Sequence, residues 1–251
     1  EIDMKTEQKV AIVTGGATGI GKGCVLKFLE HGYKVMATGR RMEKLRELEA
    51  EAGCDDLMIL QGDVADRAQV QSMISQTVSR WGRLDAMVNN AGICTSIPFI
   101  DMTTEQYDEV IKVNQYGCFF GMQEAAKKMI ELGIKGVIMN MSSVFYEVAS
   151  PKILHYHASK GAIATMTKSA ALELAPYGIR VLAVAPGVID TPMLDIDKQR
   201  GTWDEIQTKH MRNKALSTEE VAEVMVFLCS EKANGVNGCI IPIDDGLLSK
   251  Y

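Results

Sequence analysis

No run of apolar residues in this 251-residue chain approaches the roughly twenty needed to span a bilayer, which argues against a membrane-spanning helix. The opening Glu1-Ile2-Asp3-Met4-Lys5 lacks the apolar stretch of a signal peptide, so the expectation is a soluble, cytoplasmic protein with no membrane partner. Nor is there a basic block. The 27 Lys and Arg are spread among 32 Asp and Glu for a formal net charge of -5, and nothing in that distribution could track a phosphate backbone. Nucleic acid is not an expected partner. The six cysteines, Cys24, Cys54, Cys94, Cys118, Cys229 and Cys239, show no C-x-x-C spacing and no adjoining histidines, which removes a zinc site and a disulfide framework from the reading. His155 and His157 alone are too few ligands to hold a metal, and none is expected. With no Pro/Gly/Ser-rich linker, internal repeat or low-complexity stretch, residues 1–251 are expected to form one domain.

What the chain does have is a series of short, continuous apolar runs: Val10 to Val13, Val35 to Ala37, Leu57 to Leu60, Ala86 to Val88, Val137 to Met139, Val181 to Val184 and Cys239 to Ile241. Runs that are continuous rather than alternating suggest strands buried on both faces. Helical patterns lie between them. Val70, Met73, Ile74, Val78 and Trp81 follow an Asp66-x-x-Gln69 cap, and Ser217-x-x-Glu220 leads into Val221, Val224, Met225 and Leu228. Strands alternating with helices predict βαβ units: an α/β, doubly wound Rossmann fold with a mostly parallel, seven-stranded sheet and helices on both faces. The least patterned stretch, about residues 188–215, follows the sixth strand and is expected to be a mobile substrate lid.

The first strand runs into Thr14-Gly15-Gly16-Ala17-Thr18-Gly19-Ile20-Gly21 and then a helical pattern. Glycines there permit a tight turn and let backbone N–H groups approach a pyrophosphate at a helix N-terminus, so dinucleotide binding is the better reading. The second strand ends at Gly39-Arg40-Arg41, with no carboxylate to accept hydrogen bonds from ribose hydroxyls. A glycine followed by guanidinium groups has room for a 2'-phosphate and the planar cations to bind it. NADP(H) is therefore expected in preference to NAD(H), with NAD(H) still possible.

Tyr156 and Lys160 are four residues apart, which puts them on one face of a helix, and Ser143 lies thirteen positions upstream. An ammonium beside a phenol stabilises the phenolate and could bring it into use as an acid/base near neutral pH. Taken alone, Tyr-x-x-x-Lys is an ordinary helix pair. Asn89-Asn90-Ala91-Gly92 after the fourth strand, Asn114 within Val113-Asn114-Gln115, and Pro186-Gly187-Val188-Ile189-Asp190-Thr191-Pro192-Met193 after the sixth complete a set. In this order, the set resembles the classical short-chain dehydrogenase/reductase family from about Lys9 to Gly246.

The resemblance implies that Tyr156 is the general acid/base and that Lys160 lowers its pKa while holding the nicotinamide ribose. Ser143 would bind the substrate oxygen, and Asn114 would hold a water in a proton relay. The cofactor would lie along Gly15, Thr18, Gly19, Ile20 and Gly21, with Asp63 and Val64 at the adenine. Asn90, Ala91 and Gly92 would line the groove, with Pro186, Gly187, Ile189 and Thr191 toward the nicotinamide. Two departures stand out. Asp245 in Ile243-Asp244-Asp245-Gly246 replaces a glycine of the family, near where many relatives form a homotetramer or homodimer interface. Phe145-Tyr146 stands where many relatives carry small residues. Phe145, Met193, Leu194 and Cys94 suggest an apolar lining beside Ser143. The expected reaction is hydride transfer between nicotinamide and a secondary alcohol or ketone, as in a ketoreductase or hydroxysteroid dehydrogenase, on an apolar or cyclic substrate such as a steroid, bile acid or oxoacyl compound. The competing reading is a catalytically silent NADP(H) sensor or scaffold. A sugar-nucleotide epimerase is disfavoured by the glycine spacing.

Overall fold

Seven short strands lie side by side in the order β3-β2-β1-β4-β5-β6-β7, every neighbouring pair parallel. They are β1 (Val10–Thr14), β2 (Lys34–Gly39), β3 (Leu57–Gln61), β4 (Ala86–Asn89), β5 (Val137–Met141), β6 (Arg180–Pro186) and β7 (Ile240–Ile243). The computed structural model describes residues 8–250, so the signal-peptide expectation for Glu1 to Lys5 lies outside the described residues. The last strand begins one residue later than expected and runs on to Ile243. The helices are α1 (Gly19–Glu30), α2 (Met42–Ala52), α3 (Arg67–Trp81), α4 (Thr104–Val110), α5 (Gly117–Leu132), α6 (Leu154–Leu174), α7 (Asp195–Gln199), α8 (Trp203–Gln207) and α9 (Thr218–Cys229).

Successive side chains of a strand point to opposite faces, and each central strand here feeds two cores. Ala11, Val13, Val35, Ala37, Val88 and Met139 join Phe28 of α1, Leu45 and Leu48 of α2 and Met225 of α9. Ile12, Met36, Met87 and Ile138 join Ile74 of α3, Met129 of α5 and Ile163 of α6 on the other side. Burying each of the larger side chains among these contributes about 1.5–3 kcal/mol, which explains why the runs are continuously apolar. The edges depart from this pattern: β3 has only Leu57 fully buried, and β7 has no fully buried residue and carries an exposed Pro242. A proline cannot donate to a ladder, and an edge strand tolerates it.

Helix starts follow the expected caps, with one change. Asp66 accepts from Ala68 and Gln69 N–H at the start of α3, but the Gln69 carbonyl oxygen turns outward to the Asp63 N–H at 2.9 Å. Ser217 and Glu220 form a reciprocal box at α9, as do Thr103 and Gln106 at α4. Between α4 and α5 the helix widens into a π-turn over Ile111–Tyr116, centred on Asn114. Strand order reverses between β1 and β4, and at their carboxyl ends this reversal opens the crevice in which such sheets bind ligands.

Candidate active site

On the β1 side of the crevice the wall is made of backbone. Gly15 and Gly19 have φ of +62° and +56°, a region that side chains rarely enter. A Cβ on Gly21 would lie 2.1 Å from the Gly15 carbonyl oxygen, so the turn closes only with glycine there. The Thr18 N-cap of α1 makes no side-chain cap bond, and the first turn holds no acidic residue. The first N–H groups of α1 thus keep their demand for an anion, the arrangement that a pyrophosphate fits. Arg40 and Arg41 are exposed, and Arg41 Nη2 reaches back to Thr18 Oγ1 at 3.4 Å. Among the described residues neither guanidinium is in an ion pair with a carboxylate, and a Cβ at Gly39 would meet only Ala17 at 3.8 Å. These residues therefore fit a dinucleotide carrying a phosphate on its ribose.

The Asn90-Ala91-Gly92 segment is locked to this turn. Asn90 Nδ2 donates to the Thr14 and Gly15 carbonyls at 2.9 and 3.2 Å, while Thr14 Oγ1 accepts from the N–H groups of Asn90 and Ala91 at 3.0 and 3.1 Å. Asp63 is turned back on its own loop, its carboxylate accepting from Ala65 N–H, and Val64 packs against Gly117. Across the crevice Thr191 sits next to Gly19, with its Cγ2 3.4 Å from where a Cβ would stand. Ile189 is 3% exposed with its side chain in the core, so only its backbone can face a ligand. Pro186 ends β6, and Gly187 is held against His210 and Asp244.

The side chains expected to carry chemistry converge on α6. Tyr156 and Lys160 share a face, with Lys160 Nζ 5.3 Å from the centre of the phenol ring. Ser143, at the end of β5, is buried and close enough to Tyr156 to oppose the rise in its pKa. The expected lowering of the Tyr156 pKa by Lys160 is not what the structure gives. Burial pushes the phenol up, Cys94 adds to the rise, and Lys160 Nζ is turned to the Met141 carbonyl at 2.7 Å. Lys160 is desolvated too, and burial brings its ammonium down to about 8. Tyr156 thus stays protonated well beyond neutral pH.

Asn114, from the π-turn, is almost wholly buried. Its amide donates to Ile93 O at 2.9 Å and Ser159 Oγ at 3.1 Å, and its oxygen accepts from Ile93 N–H at 2.8 Å. Both amide protons are spent inside the protein, so the Asn114 side chain can hold a water only through its oxygen. Single π-turns are frequent at functional sites, where the extra residue re-aims a side chain. Ser159 then passes the connection on, donating to the Tyr156 carbonyl at 2.8 Å.

On the far side, Phe145 meets the Tyr156 ring edge-on at 6.3 Å and belongs to a small apolar cluster with Leu194 and Trp203. Met193 is 47% exposed, and Cys94 is partly buried with its thiol pushed up to about 11 by desolvation. The stretch expected to be a lid carries two short helices, α7 and α8, and is tied down at several points. Lys198 pairs with Asp190 and lies 5.0 Å from the Trp203 ring centre. Arg212 N–H and Nε donate to the two Asp245 oxygens at 2.9 and 2.6 Å, with Asp245 itself at φ +45°. His210, fully buried, accepts from Val188 N–H at 2.8 Å.

Sequence reasoning did not single out Thr14, Ser159, His210 or Thr95, the last with its Oγ1 2.9 Å from His155 Nε2. The signal for Thr14 and Ser159 lay inside the motifs themselves, whereas His210 and Thr95 act through loops whose approach no spacing predicts.

The comparisons with known proteins agree with this geometry. The sequence model of a family described as enoyl-(acyl carrier protein) reductase matches residues 15–248. A 3-oxoacyl-[acyl-carrier-protein] reductase of Thermotoga maritima is 39% identical over 98% of this chain and 100% of its own length. An NADP-dependent (R)-specific alcohol dehydrogenase of Lentilactobacillus kefiri is 36% identical over 95% of this chain and 96% of its own. Among solved structures, ElxO with NADP bound superposes with a TM-score of 0.90 at 36% identity, covering 96% of this chain and 99% of that one. Levodione reductase gives 0.92 at 32% identity, covering 97% and 98%. With the glycine turn, Asn114, Ser143, Tyr156 and Lys160 gathered at the carboxyl end of a parallel sheet, the chain belongs to the short-chain dehydrogenase/reductase family.

Proposed function

We propose that the protein is an NADP(H)-dependent oxidoreductase that interconverts a secondary alcohol and a ketone. The observation that carries the reading is Tyr156 beside the buried ammonium of Lys160, with Ser143 at the same point of the crevice. The nicotinamide, when bound, supplies or accepts the hydride. Every other part of the task belongs to the chain. The backbone of Gly15 to Gly21 and the N-terminus of α1 bind the pyrophosphate, and Arg40 and Arg41 bind the 2'-phosphate. Asp63 and Val64 take the adenine; Asn90 to Gly92, Pro186, Gly187, Thr191 and the Ile189 backbone hold the rest.

In reduction, Tyr156 Oη gives its proton to the carbonyl oxygen as negative charge builds there, and Ser143 Oγ donates a hydrogen bond to the same oxygen. The phenol carries that proton at neutral pH as any tyrosine does, and the burial that raises its pKa opposes release, a cost the Lys160 ammonium offsets. Lys160 then favours the phenolate left behind and replaces its Met141 partner with the ribose. Asn114 and Ser159 hold the Tyr156 turn of α6 and, through Asn114 Oδ1, a water that returns the proton.

Phe145, Leu194, Trp203 and Cys94 favour an apolar or cyclic ketone, of the steroid, bile acid or oxoacyl kind, over a charged one. Residues 188–215 act as its lid. Tyr116, Phe119, Leu154 and Leu172, exposed along the π-turn, α5 and α6, fit burial against further copies in a homodimer or homotetramer. The test is a panel of ketones and alcohols followed by nicotinamide absorbance with NADPH and NADH. Turnover of apolar ketones with NADPH is expected. Tight NADPH binding with no turnover of any ketone would overturn the reading in favour of a sensor.

A further inference from the structure

The histidine that follows Tyr156 plays no part in the proton path, yet both of its ring nitrogens are engaged. One residue along α6 from Tyr156 is a turn of about 100°, which carries His157 away from the crevice and toward the loop between Ser143 and Ser150. Nδ1 lies 2.9 Å from the Phe145 carbonyl oxygen, which can only accept, so Nδ1 carries the proton. Nε2 lies 3.0 Å from the Ser150 nitrogen, whose N–H it accepts in the neutral ring, and 3.0 Å from the Ser150 carbonyl oxygen, to which it donates if the ring takes a second proton. The Phe145 ring packs edge-on against His157 at 5.2 Å and against Tyr156 at 6.3 Å.

One imidazole therefore grips the loop at both ends. Its contacts with Phe145 and Ser150 fix where the phenyl wall stands relative to the Tyr156 hydroxyl. Inside the loop, the 3-10 turn over Val144–Tyr146, the Phe145 N–H donating to Ser143 Oγ at 3.3 Å and the Glu147 and Val148 N–H groups donating to the Val144 carbonyl shape the chain locally, and His157 ties that local shape to α6. His155, on the other side of Tyr156, does the reverse. Wholly buried, it accepts the Tyr156 N–H on Nδ1 at 2.9 Å and meets Thr95 Oγ1 through Nε2 at 2.9 Å, tying α6 to the Cys94 side of the pocket.

We propose that His157 is a positioning residue that sets the range of ketones accepted, by holding Phe145 at a fixed distance from Tyr156. The proposal rests on the reading that the ketone binds at Tyr156. A histidine that merely packed would, on replacement, lower stability and slow every ketone alike. A positioning histidine changes the ratio between ketones.

The experiment compares the wild type with His157→Phe, which keeps a ring against Phe145 and loses both hydrogen bonds, and His157→Gln, which keeps one donor and one acceptor. In His157→Phe the ratio of kcat/KM between a small and a bulky cyclic ketone is expected to shift by about tenfold or more, through KM, with kcat on the best ketone changed less than about threefold. NADPH affinity stays at the wild-type value, and His157→Gln restores most of the ratio. An equal loss on all ketones in His157→Phe, or no recovery in His157→Gln, overturns the proposal.

A second readout does not use turnover. Nitrogen NMR of the wild-type imidazole is expected to show His157 protonated on Nδ1, with slow exchange of the Ser150 amide proton. The opposite tautomer, or rapid exchange of that amide, overturns the proposal even if His157→Phe fails to fold. Should no ketone be turned over while the NMR result is as expected, the reaction assigned above fails and the anchoring of the loop stands, so the two are separable.

Discussion

The two walls of the crevice are built from different materials. Along β1 and α1 the wall is backbone: glycines that admit no Cβ, a helix start left uncapped, and a threonine hydroxyl joining Thr14 to Asn90 and Ala91. Along β5, α6 and residues 188–215 it is side chains reaching between loops: His157 to Phe145 and Ser150, Arg212 to Asp245, Lys198 to Asp190, His210 to Val188. A wall of backbone can hold a ligand that never changes, and it tolerates few substitutions. A wall of side-chain tethers can be altered one residue at a time, which suits a substrate that differs from one relative to the next.

The largest effect should come where the two walls meet. Tyr156→Phe keeps the ring and removes only the transferable proton, and kcat should fall roughly a thousandfold while NADPH binding, followed by fluorescence titration, is unchanged. Gly21→Ala attacks the backbone wall. Its methyl would stand 2.1 Å from the Gly15 oxygen, and we expect loss of measurable NADPH binding together with about 1–3 kcal/mol of stability in urea unfolding. A variant that bound NADPH normally would break the contrast between the walls.

Lys160→Met should uncouple stability from activity. The ammonium, at about 8, lies below the 10.5 of an ordinary lysine, so between these values the unfolded chain binds more protons than the folded one. Its charge thus costs stability below pH 8, a cost relieved as pH rises toward 10.5. Removing it should abolish turnover yet raise stability at pH 7, without added cofactor, by on the order of 3 kcal/mol. That gain should shrink above pH 8, and thermal melts across the range would show it.

Arg41→Ala is a smaller step. The KM for NADPH should rise about tenfold with NADH little changed, the difference between a phosphate that keeps one guanidinium partner and one that keeps two. Smallest of all is Asp245→Gly. Glycine relieves the left-handed backbone at φ +45° while losing the Arg212 pair, two small effects of opposite sign. The urea midpoint should barely move, while hydrogen exchange over residues 203–214 quickens. Arg212→Ala, which leaves that backbone alone, should quicken exchange and also lower the midpoint.

How much of this could be read beforehand follows the same division. The central strands were legible because residues such as Val13 and Ile12 are both buried, on opposite faces. β7 was placed one residue early because its edge position leaves it little buried. The glycine turn, Asn90 to Gly92 and the Tyr156–Lys160 pair were visible because local spacing alone brings their backbones or faces together. The direction of the Tyr156 shift was misjudged, since spacing shows a neighbouring charge but not the loss of water around both groups. That Ile189 lies toward the nicotinamide is an expectation that names no atom, and the bridge to Leu216 turns its side chain into the core and leaves the backbone for a ligand. The tethers of His210, Asp245 and His157 were hidden because each joins loops whose approach is decided by the whole fold.

The π-turn at Ile111–Tyr116 has a consequence for insertions and deletions. It gives one stretch of the α4–α5 helix a residue more than an α-helical path would use. Removing a single residue there would let the helix close into regular α geometry while the residues after it keep their phase, so Met122, Ala125 and Met129 would still face the sheet. Such a deletion would cost the bulge itself, and with it the placement of Asn114 against Ile93 and Ser159. A deletion of one residue in the regular part of α5, by contrast, would turn everything after it by about 100° and carry its apolar side off β4 and β5.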